Sequence, residues 1–294
     1  MSETLRGTLC PLVTPFQDGT VDQESLASLV DWLVENDIDG VVPCGTTGEF
    51  ASLSASEWRT VTEVTIEATD GRVPVVAGVA GTNVQRVTEQ LEFAAAAGAD
   101  AALLPPPYFH TAPTPAGNLE FFRTIADSSP LPLVLYNIPA CTGKPIAPET
   151  VTELATHESV VGLKDSSGDF DYFLELLRST DDRFALFEGY DQHFVSGVHA
   201  GSDGGINALS NALPDVFASI RDAAFDGDTE AALEIEQSVL PELFGYCLDY
   251  GFATVAKAGL VSRGVIASGE VRPPLVPLPE EVKTDVADLL SEHR

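Results

Sequence analysis

The sequence predicts an α/β protein, a (β/α)₈ TIM barrel with additional C-terminal helices. Short apolar runs alternate with helical patterns, and eight such runs follow one another at intervals of roughly 25 residues. This alternation is typical of right-handed βαβ units and a parallel sheet. Eight repeats favour a closed barrel. A doubly wound open sheet is the alternative, but no G-x-G-x-x-G segment follows an early strand.

The candidate strands are short apolar runs of the kind that parallel sheets bury. They are Gly7–Phe16, Gly40–Gly45, Val73–Val79, Ala101–Leu104, Leu133–Ile138, Val160–Lys164, Phe184–Glu188 and Gly204–Leu209. In a barrel their carboxyl ends meet at one mouth, and reactive groups gather there.

Amphipathic or Ala-rich stretches separate these strands. Gln23–Asn36 carries apolar residues at i, i+3, i+4 and i+7 from Leu26, which is one helix face. Ser54 and Glu57 match a capping box. The helical patterns after the first are Ser54–Thr69, Thr82–Gly98, Thr150–Ala155, Asp169–Arg178 and Asp191–Ala200.

The part of the chain after Leu209 has no further convincing strand and exceeds what one barrel needs. Its helical patterns are Asp215–Phe225, Thr229–Tyr250, Phe252–Val261 and Glu280–Ser291. No linker composition marks this part as independent. We therefore expect residues 1–225 to form the barrel and residues 226–294 to form a helical extension packed on it.

The chain is strongly acidic, with 45 Asp and Glu against 15 Lys and Arg, a formal charge of −30. Such a surface repels nucleic acid and anionic lipid, so neither is an expected partner. Self-repulsion weakens the fold at low ionic strength, whereas molar salt shortens the Debye length to ~3 Å. We expect a cytoplasmic protein from a salt-loaded, halophilic cell; an ordinary acidic protein is the alternative. No apolar stretch approaches the ~20 residues of a membrane span, and Met1–Arg6 lacks signal-peptide features.

The sequence lacks the usual motifs of metal-binding and phosphate-binding sites. The four cysteines are far apart, which favours free thiols, and the five histidines show no ligand spacing. No metal site is expected. There is no G-x-x-x-x-G-K-[ST] loop, although Gly201–Gly205 can make a small anion nest and leaves a phosphorylated substrate open.

Lys164, one of four lysines, ends the apolar run that begins at Val160. Lysine is almost never buried unless it is paired or chemically used. Loss of water favours the neutral amine, which can attack a ketone. The alternative is a structural lysine that pairs with Asp165 and caps the next helix.

Two other polar groups end predicted strands. Tyr136 closes the strand before that of Lys164, and adjacent parallel strands lie ~4.8 Å apart, so the two side chains can face each other at the mouth. A phenol hydroxyl can carry the proton that imine formation requires. The Gly45–Gly48 turn offers two hydroxyls and unhindered amides that suit a carboxylate. A core tyrosine and a simple turn are the alternatives.

Three segments resemble the signatures of the dihydrodipicolinate synthase / N-acetylneuraminate lyase family, pyruvate-dependent class I aldolases on a TIM barrel with extra C-terminal helices. The segments are Gly45–Glu49, Tyr136–Pro139 and Gly162–Ser166. The resemblance implies Lys164 as the Schiff-base lysine and Tyr136 as the acid/base. It implies no cofactor beyond the covalent imine on Lys164.

The resemblance also implies further roles. Thr46 and Thr47 would hold the pyruvate carboxylate and join the proton relay, and Tyr108 would reach a neighbouring subunit's site. Ile206 would contact pyruvate through its backbone. Asn207 and Ser210 can bind substrate hydroxyls or merely cap a strand end. The expected substrate-binding positions are Thr46, Thr47, Gly48, Gly189, Ile206 and Asn207. The family is usually a homotetramer, a dimer of dimers.

One position departs from the synthase pattern. Synthases of this family carry an arginine, which binds the second substrate's carboxylate, where this chain has Cys141. A thiol cannot form a bidentate ion pair. The chain is in this respect similar to the archaeal 2-keto-3-deoxygluconate aldolase branch. We expect cleavage of 2-keto-3-deoxygluconate or a related sugar acid to pyruvate and glyceraldehyde. A 4-hydroxy-tetrahydrodipicolinate synthase and a non-catalytic keto-acid-binding protein are the alternatives.

Overall fold

The computed structural model describes residues 5–110 and 112–293. Eight parallel strands within them form one sheet, and a parallel bridge between Val41 and Val75 joins its two edges. The sheet is therefore a barrel. The predicted (β/α)₈ architecture with additional C-terminal helices is confirmed.

The strands are short and mostly buried along their whole length. In chain order they are β1 Gly7–Pro11, β2 Phe16–Gln17, β3 Thr20–Val21, β4 Gly40–Val42, β5 Val76–Gly78, β6 Ala101–Leu104, β7 Leu133–Asn137, β8 Val160–Asp165, β9 Ala185–Glu188 and β10 Gly204–Ile206. The order around the barrel is β4-β1-β10-β9-β8-β7-β6-β5, and β2 and β3 form a separate antiparallel hairpin.

Several strands end earlier than predicted: β4 ends at Val42 instead of Gly45, and the first and the last strands are also shortened. The first was expected to reach Phe16 but ends at Pro11, and Phe16 belongs to the hairpin. Pro11 and Pro15 have no N–H to extend a ladder. The last was expected to reach Leu209 but ends at Ile206, where a 3₁₀ turn follows because the Ala208 and Leu209 amides donate to the carboxylate of Asp191.

Twelve α-helices surround and extend the barrel in the described residues. They are α1 Gln23–Glu35, α2 Ala55–Thr69, α3 Val84–Ala97, α4 Pro115–Ala126, α5 Pro139–Thr142, α6 Pro148–Leu154, α7 Phe170–Ser179, α8 Phe194–Ala200, α9 Pro214–Phe225, α10 Thr229–Tyr250, α11 Phe252–Ser262 and α12 Glu280–Ser291. The capping box of Ser54 and Glu57 is present. Helices α4 and α5 were not predicted. The predicted helix Asp191–Ala200 is a 3₁₀ turn, Asp191–His193, followed by α8.

The core has layers inside and outside the barrel. Val42, Val76 and Val134 fill the interior, and a larger cluster lies between the strands and the helices. A further cluster joins Phe217 of α9 to Phe244 of α10, so the C-terminal helices pack against the barrel's last helices. The division at residue 225 stays a prediction. None of the helices in the described range combines the length and apolarity needed to cross a membrane.

Candidate active site

Lys164 is buried at the carboxyl end of β8. Its register partners are Tyr136 on β7 and Phe187 on β9. Its Nζ lies 4.5 Å from the centroid of the Tyr136 ring, and only 5% of the residue is exposed. None of the ion pairs among the described residues involves it. Lys164 therefore makes no contact ion pair with the described residues, although its charge opposes the rise that burial causes in the pKa of Asp191. A buried lysine outside any contact ion pair fits a chemically used amine better than a structural one.

Asp165 does not pair with Lys164, contrary to the structural alternative. Its Oδ1 accepts hydrogen bonds from Asn137 Nδ2 at 2.7 Å and from the Ser167 amide at 3.0 Å, and its Oδ2 accepts from the Ser167 hydroxyl at 2.8 Å. Burial raises the pKa of the Asp165 carboxyl, and this effect exceeds the lowering by the hydrogen bonds from Asn137 and Ser167. The carboxylate thus orders the turn after β8 and does not form an ion pair with Lys164.

Gly189 follows β9 and lies directly against Lys164. A Cβ built on Gly189 would stand 2.7 Å from Lys164 Cε and 2.3 Å from Ser166 Oγ. No side chain fits there without displacing the lysine. Close packing against Lys164 is therefore sufficient to explain why position 189 is a glycine. Contact of Gly189 with the substrate stays a prediction.

The turn after β4 closes tightly. The amides of Gly48 and Glu49 donate to the carbonyls of Gly45 and Thr46, both at 3.1 Å. Thr47 is buried and Thr46 is exposed. Glu49 has φ of +54°, in the left-handed region that side chains adopt at a cost. The turn thus holds adjacent hydroxyls and amides at the mouth, and their roles toward a carboxylate and in a proton relay stay predictions.

A cavity of about 220 Å³ opens at this end of the barrel. Thr46, Tyr136, Tyr108 and Cys141 line it, together with an apolar wall. Tyr108 also makes an edge-to-face contact with Phe50 at 6.3 Å between centroids. The cavity therefore brings together two of the predicted strand ends, that of Tyr136 and that of the Gly45–Gly48 turn, whereas Lys164 lies behind the Tyr136 ring and is not one of the lining residues. The reach of Tyr108 into a neighbouring subunit stays a prediction.

The last residue of β10 and the residues after it form part of the barrel wall. Ile206 is buried in the interior cluster that contains Tyr136. The side-chain Nδ2 of Asn207 donates to the Glu188 carbonyl at 3.3 Å, and the Ser210 hydroxyl donates to the Asn207 carbonyl at 2.6 Å. Both side chains are fully buried. This is the strand-end capping that was the alternative for Asn207 and Ser210. A substrate role for Asn207 stays a prediction.

A group of buried carboxyls that was not predicted lies beside this wall. Burial raises the pKa of Glu188 to about 8, that of Asp191 to about 6 and that of Glu236 to about 7. Glu236 accepts a hydrogen bond from the Val195 amide at 3.0 Å. Only Glu188 carried a sequence signal, as an acid at the end of an apolar strand. In the part of the chain that the structure describes, no three His, Cys, Asp or Glu residues are grouped to hold a metal.

Comparisons with known proteins match almost the whole chain. A family model described as the dihydrodipicolinate synthetase family matches residues 4–293. Proteins named 4-hydroxy-tetrahydrodipicolinate synthase from Thermomicrobium roseum and Methanosarcina barkeri are 39% and 36% identical; the alignments cover 93% and 97% of this chain and 90% and 97% of those proteins. The crystal structure of YagE, a prophage protein of this family from E. coli K12 in complex with pyruvate, has a TM-score of 0.92 and 33% identity. That match covers 98% of each chain.

Proposed function

The chain belongs to the dihydrodipicolinate synthetase family, and on that premise we propose that it is a class I aldolase that forms an imine between Lys164 and pyruvate. The observation that carries this proposal is a buried lysine, without an ion-pair partner among the described residues, 4.5 Å from the Tyr136 ring centroid. YagE supports the choice of keto acid, since it was crystallised with pyruvate.

The proposed cleavage uses the imine as an electron sink. The Lys164 amine attacks the C2 ketone, and loss of water gives a protonated imine. Tyr136 carries the proton for this step and takes the proton of the C4 hydroxyl. The C3–C4 bond breaks, an aldehyde leaves, and the electron pair forms an enamine. Protonation at C3 and hydrolysis then release pyruvate and restore the amine, so no further cofactor is needed.

We propose an uncharged aldehyde as the second partner, and hence cleavage of 2-keto-3-deoxygluconate or a related 2-keto-3-deoxy sugar acid to pyruvate and glyceraldehyde. Cys141 supports this choice because it lines the cavity where a carboxylate-binding arginine would be needed. None of the described residues that line this cavity is cationic.

A 4-hydroxy-tetrahydrodipicolinate synthase is the second candidate. The relatives from Thermomicrobium roseum and Methanosarcina barkeri carry that name, and their alignments span nearly the whole chain. In this case pyruvate would condense with aspartate semialdehyde. The two candidates share the imine on Lys164 and differ only in the aldehyde. A homotetramer and a cytoplasmic location accompany both as predictions.

Two measurements test the proposal. The first is reduction with borohydride in the presence of pyruvate, which should fix the keto acid covalently on the wild-type chain and leave the Lys164→Ala variant unmodified. Absence of an adduct on folded wild-type protein would refute the imine.

The second measurement compares two substrates on the same preparation, with Lys164→Ala as the control in both. Pyruvate release from 2-keto-3-deoxygluconate supports the sugar-acid aldolase. Condensation of pyruvate with aspartate semialdehyde, without sugar-acid cleavage, supports the synthase. An adduct without turnover of either substrate favours a keto-acid-binding protein.

A further inference from the structure

A second buried lysine lies behind the mouth of the barrel. Lys257, on α11, is fully buried, and its Nζ lies 2.5 Å from Glu49 Oε1. The same Nζ donates to the Glu270 carbonyl at 2.8 Å and lies 4.2 Å from the Phe16 ring centroid. Two of the chain's four lysines are therefore buried, one at the imine position and one beside the Gly45–Glu49 turn.

Both carboxylate oxygens of Glu49 are held by the C-terminal part of the chain. Oε1 receives the Lys257 ammonium, and Oε2 accepts the Arg272 amide at 2.9 Å. The Arg272 guanidinium continues outward and donates to the Ser52 carbonyl at 2.9 Å and to Glu57. Helix α11 and the loop after it are thus tied to the Gly45–Glu49 turn and to the segment that follows it.

The backbone of Glu49 completes that turn. Its amide donates to the Thr46 carbonyl, and its left-handed φ of +54° reverses the chain immediately after Gly48. A non-glycine residue keeps such a conformation only where its surroundings hold it. The ion pair with Lys257 fixes the Glu49 side chain and so stabilises this backbone conformation. Glu49 is two residues after Thr47 in the chain.

A gain in stability explains this pair poorly. Removing two charges from water costs several kcal/mol per ion, and neutral replacements of a buried pair are often as stable. Burial lowers the pKa of Lys257, and this effect exceeds the raising of the pKa by the negative charge of Glu49. A buried pair does give one fixed geometry, because any shift leaves an unpaired charge in a dry site.

We propose that Glu49 and Lys257 are positioning residues, which hold the Thr46–Thr47 turn in the geometry that binds the carboxylate of the keto acid. This inference rests on the proposed function. It assigns the C-terminal helices a role in substrate binding, exerted through Glu49.

The test replaces both charges at once, with Glu49→Gln and Lys257→Met in one chain, so that no buried charge is left alone. We expect a thermal midpoint near that of the wild type. We expect the KM for the keto acid to rise about tenfold, which corresponds to about 1.4 kcal/mol of lost positioning, with a smaller change in kcat. Borohydride trapping at saturating pyruvate should still label Lys164.

The matched control is the ion pair of Arg221 with Asp39, whose Nη1–Oδ2 distance is 2.7 Å. Asp39 precedes β4 and so lies at the opposite end of the barrel. The double variant Asp39→Asn with Arg221→Met should change the thermal midpoint and leave the KM unaltered. An unchanged KM in the folded Glu49/Lys257 double variant would overturn the proposal and leave the pair a structural one.

A third variant covers the case in which the double variant does not fold. Glu49→Asp keeps the charge but withdraws the carboxylate by one methylene. A raised KM with little change in kcat supports positioning, whereas an unchanged KM contradicts it. Wild-type protein that traps no pyruvate would instead refute the proposed function, and this positioning role with it, so the two failures are distinguishable.

Discussion

Tyr136 and Lys164 are register partners on adjacent parallel strands, and the amine of one lies over the ring face of the other at 4.5 Å. The ring face carries negative potential and attracts a cation, whereas the hydroxyl lies at the ring edge. One side chain therefore offers two separable functions, an electrostatic contact with Lys164 and a proton carrier. Variants that remove only one of them can tell these functions apart.

Tyr136→Phe keeps the ring and removes the hydroxyl. We expect kcat to fall about 10²- to 10⁴-fold, the usual contribution of general acid–base catalysis, because the proton carrier is lost. The pyruvate adduct should still form under borohydride, more slowly. Steady-state kinetics and adduct mass measure the two effects.

Tyr172→Phe is the matched control for this change. Tyr172 is also buried, but its hydroxyl donates to the Ile146 carbonyl at 2.8 Å. Its loss should lower stability by about 1 kcal/mol and leave kcat unchanged. Equal kcat losses in both variants would contradict the assignment of Tyr136 as the proton carrier.

Gly189→Ala should disable Lys164 without touching it chemically. The added Cβ would meet Lys164 Cε at 2.7 Å and the Asp165 carbonyl at 2.8 Å, so the lysine side chain must move. Because small misplacements of reacting groups can cost about 10²-fold, we expect trapping and turnover to fall by about that factor.

The control for this substitution is Gly245→Ala on α10. A Cβ there meets nothing within 4 Å, and alanine in a helix is more stable than glycine by about 0.5–1 kcal/mol. This variant should be slightly more stable and fully active. Normal trapping by folded Gly189→Ala would show that the lysine tolerates the displacement.

The pairing of Lys164 with Tyr136 was predictable because both residues end apolar runs and parallel strands place their carboxyl ends side by side. Periodicity and end signals also fixed most helices. The helix Pro115–Ala126 was missed although Thr114 caps it and proline occupies its first position, which are usable start signals.

The link between Glu49 and Lys257 was beyond sequence reasoning. The two residues are 208 positions apart, and no local pattern states which helix of the C-terminal part contacts which turn. Similarly, the early end of β10 depends on the carboxylate of Asp191, which takes the amides of Ala208 and Leu209 from any ladder. Long-range capture of backbone donors leaves no periodic signal.

The buried carboxyls predict that stability decreases as pH rises above about 4.5. Burial raises the pKa of Glu236 from 4.5 to about 7 and that of Glu188 from 4.5 to about 8, so the folded state holds protons that the unfolded state has released. The free energy of unfolding should therefore fall from about pH 4.5 to about pH 8 and then level. Denaturant unfolding at several pH values measures this slope.

Glu236→Gln should flatten the part of that curve between about pH 4.5 and pH 7. The side-chain oxygen of the glutamine can still accept the hydrogen bond from the Val195 backbone N–H, but the side chain does not titrate. Glu234→Gln removes the same charge from an exposed position of the same helix and is the control. If Glu236→Gln leaves the pH dependence of the free energy of unfolding unchanged, the Glu236 carboxyl does not cause it.

The charge of −30 predicts a salt-dependent fold. The Debye length falls from ~10 Å at 0.1 M salt to ~3 Å at 1 M, so repulsion between surface carboxylates is largely screened within that range. The unfolding midpoint should rise with KCl, with most of the gain below 1 M. A gain that continues linearly into molar salt would indicate solute exclusion instead of screening. Equal stability throughout would contradict the prediction of a salt-loaded cell.

Cys141→Arg tests which aldehyde the cavity accepts. Cys141 is exposed and lines the cavity with Tyr136, and an arginine there would offer a fork of donors to a carboxylate. Hydrogen bonds to charged groups contribute about 1.5–3 kcal/mol, so we expect kcat/KM for aspartate semialdehyde to rise at least tenfold relative to that for 2-keto-3-deoxygluconate.

Cys141→Met, which adds bulk without charge, is the control for Cys141→Arg. A shift in the arginine variant alone means that the acceptor's charge is read at this position and that the wild-type cavity is suited to an uncharged aldehyde. If the wild type already condenses aspartate semialdehyde well and arginine adds nothing, another group binds the carboxylate. The neutral-acceptor proposal would then be wrong, and the synthase would remain, because the imine on Lys164 serves both reactions.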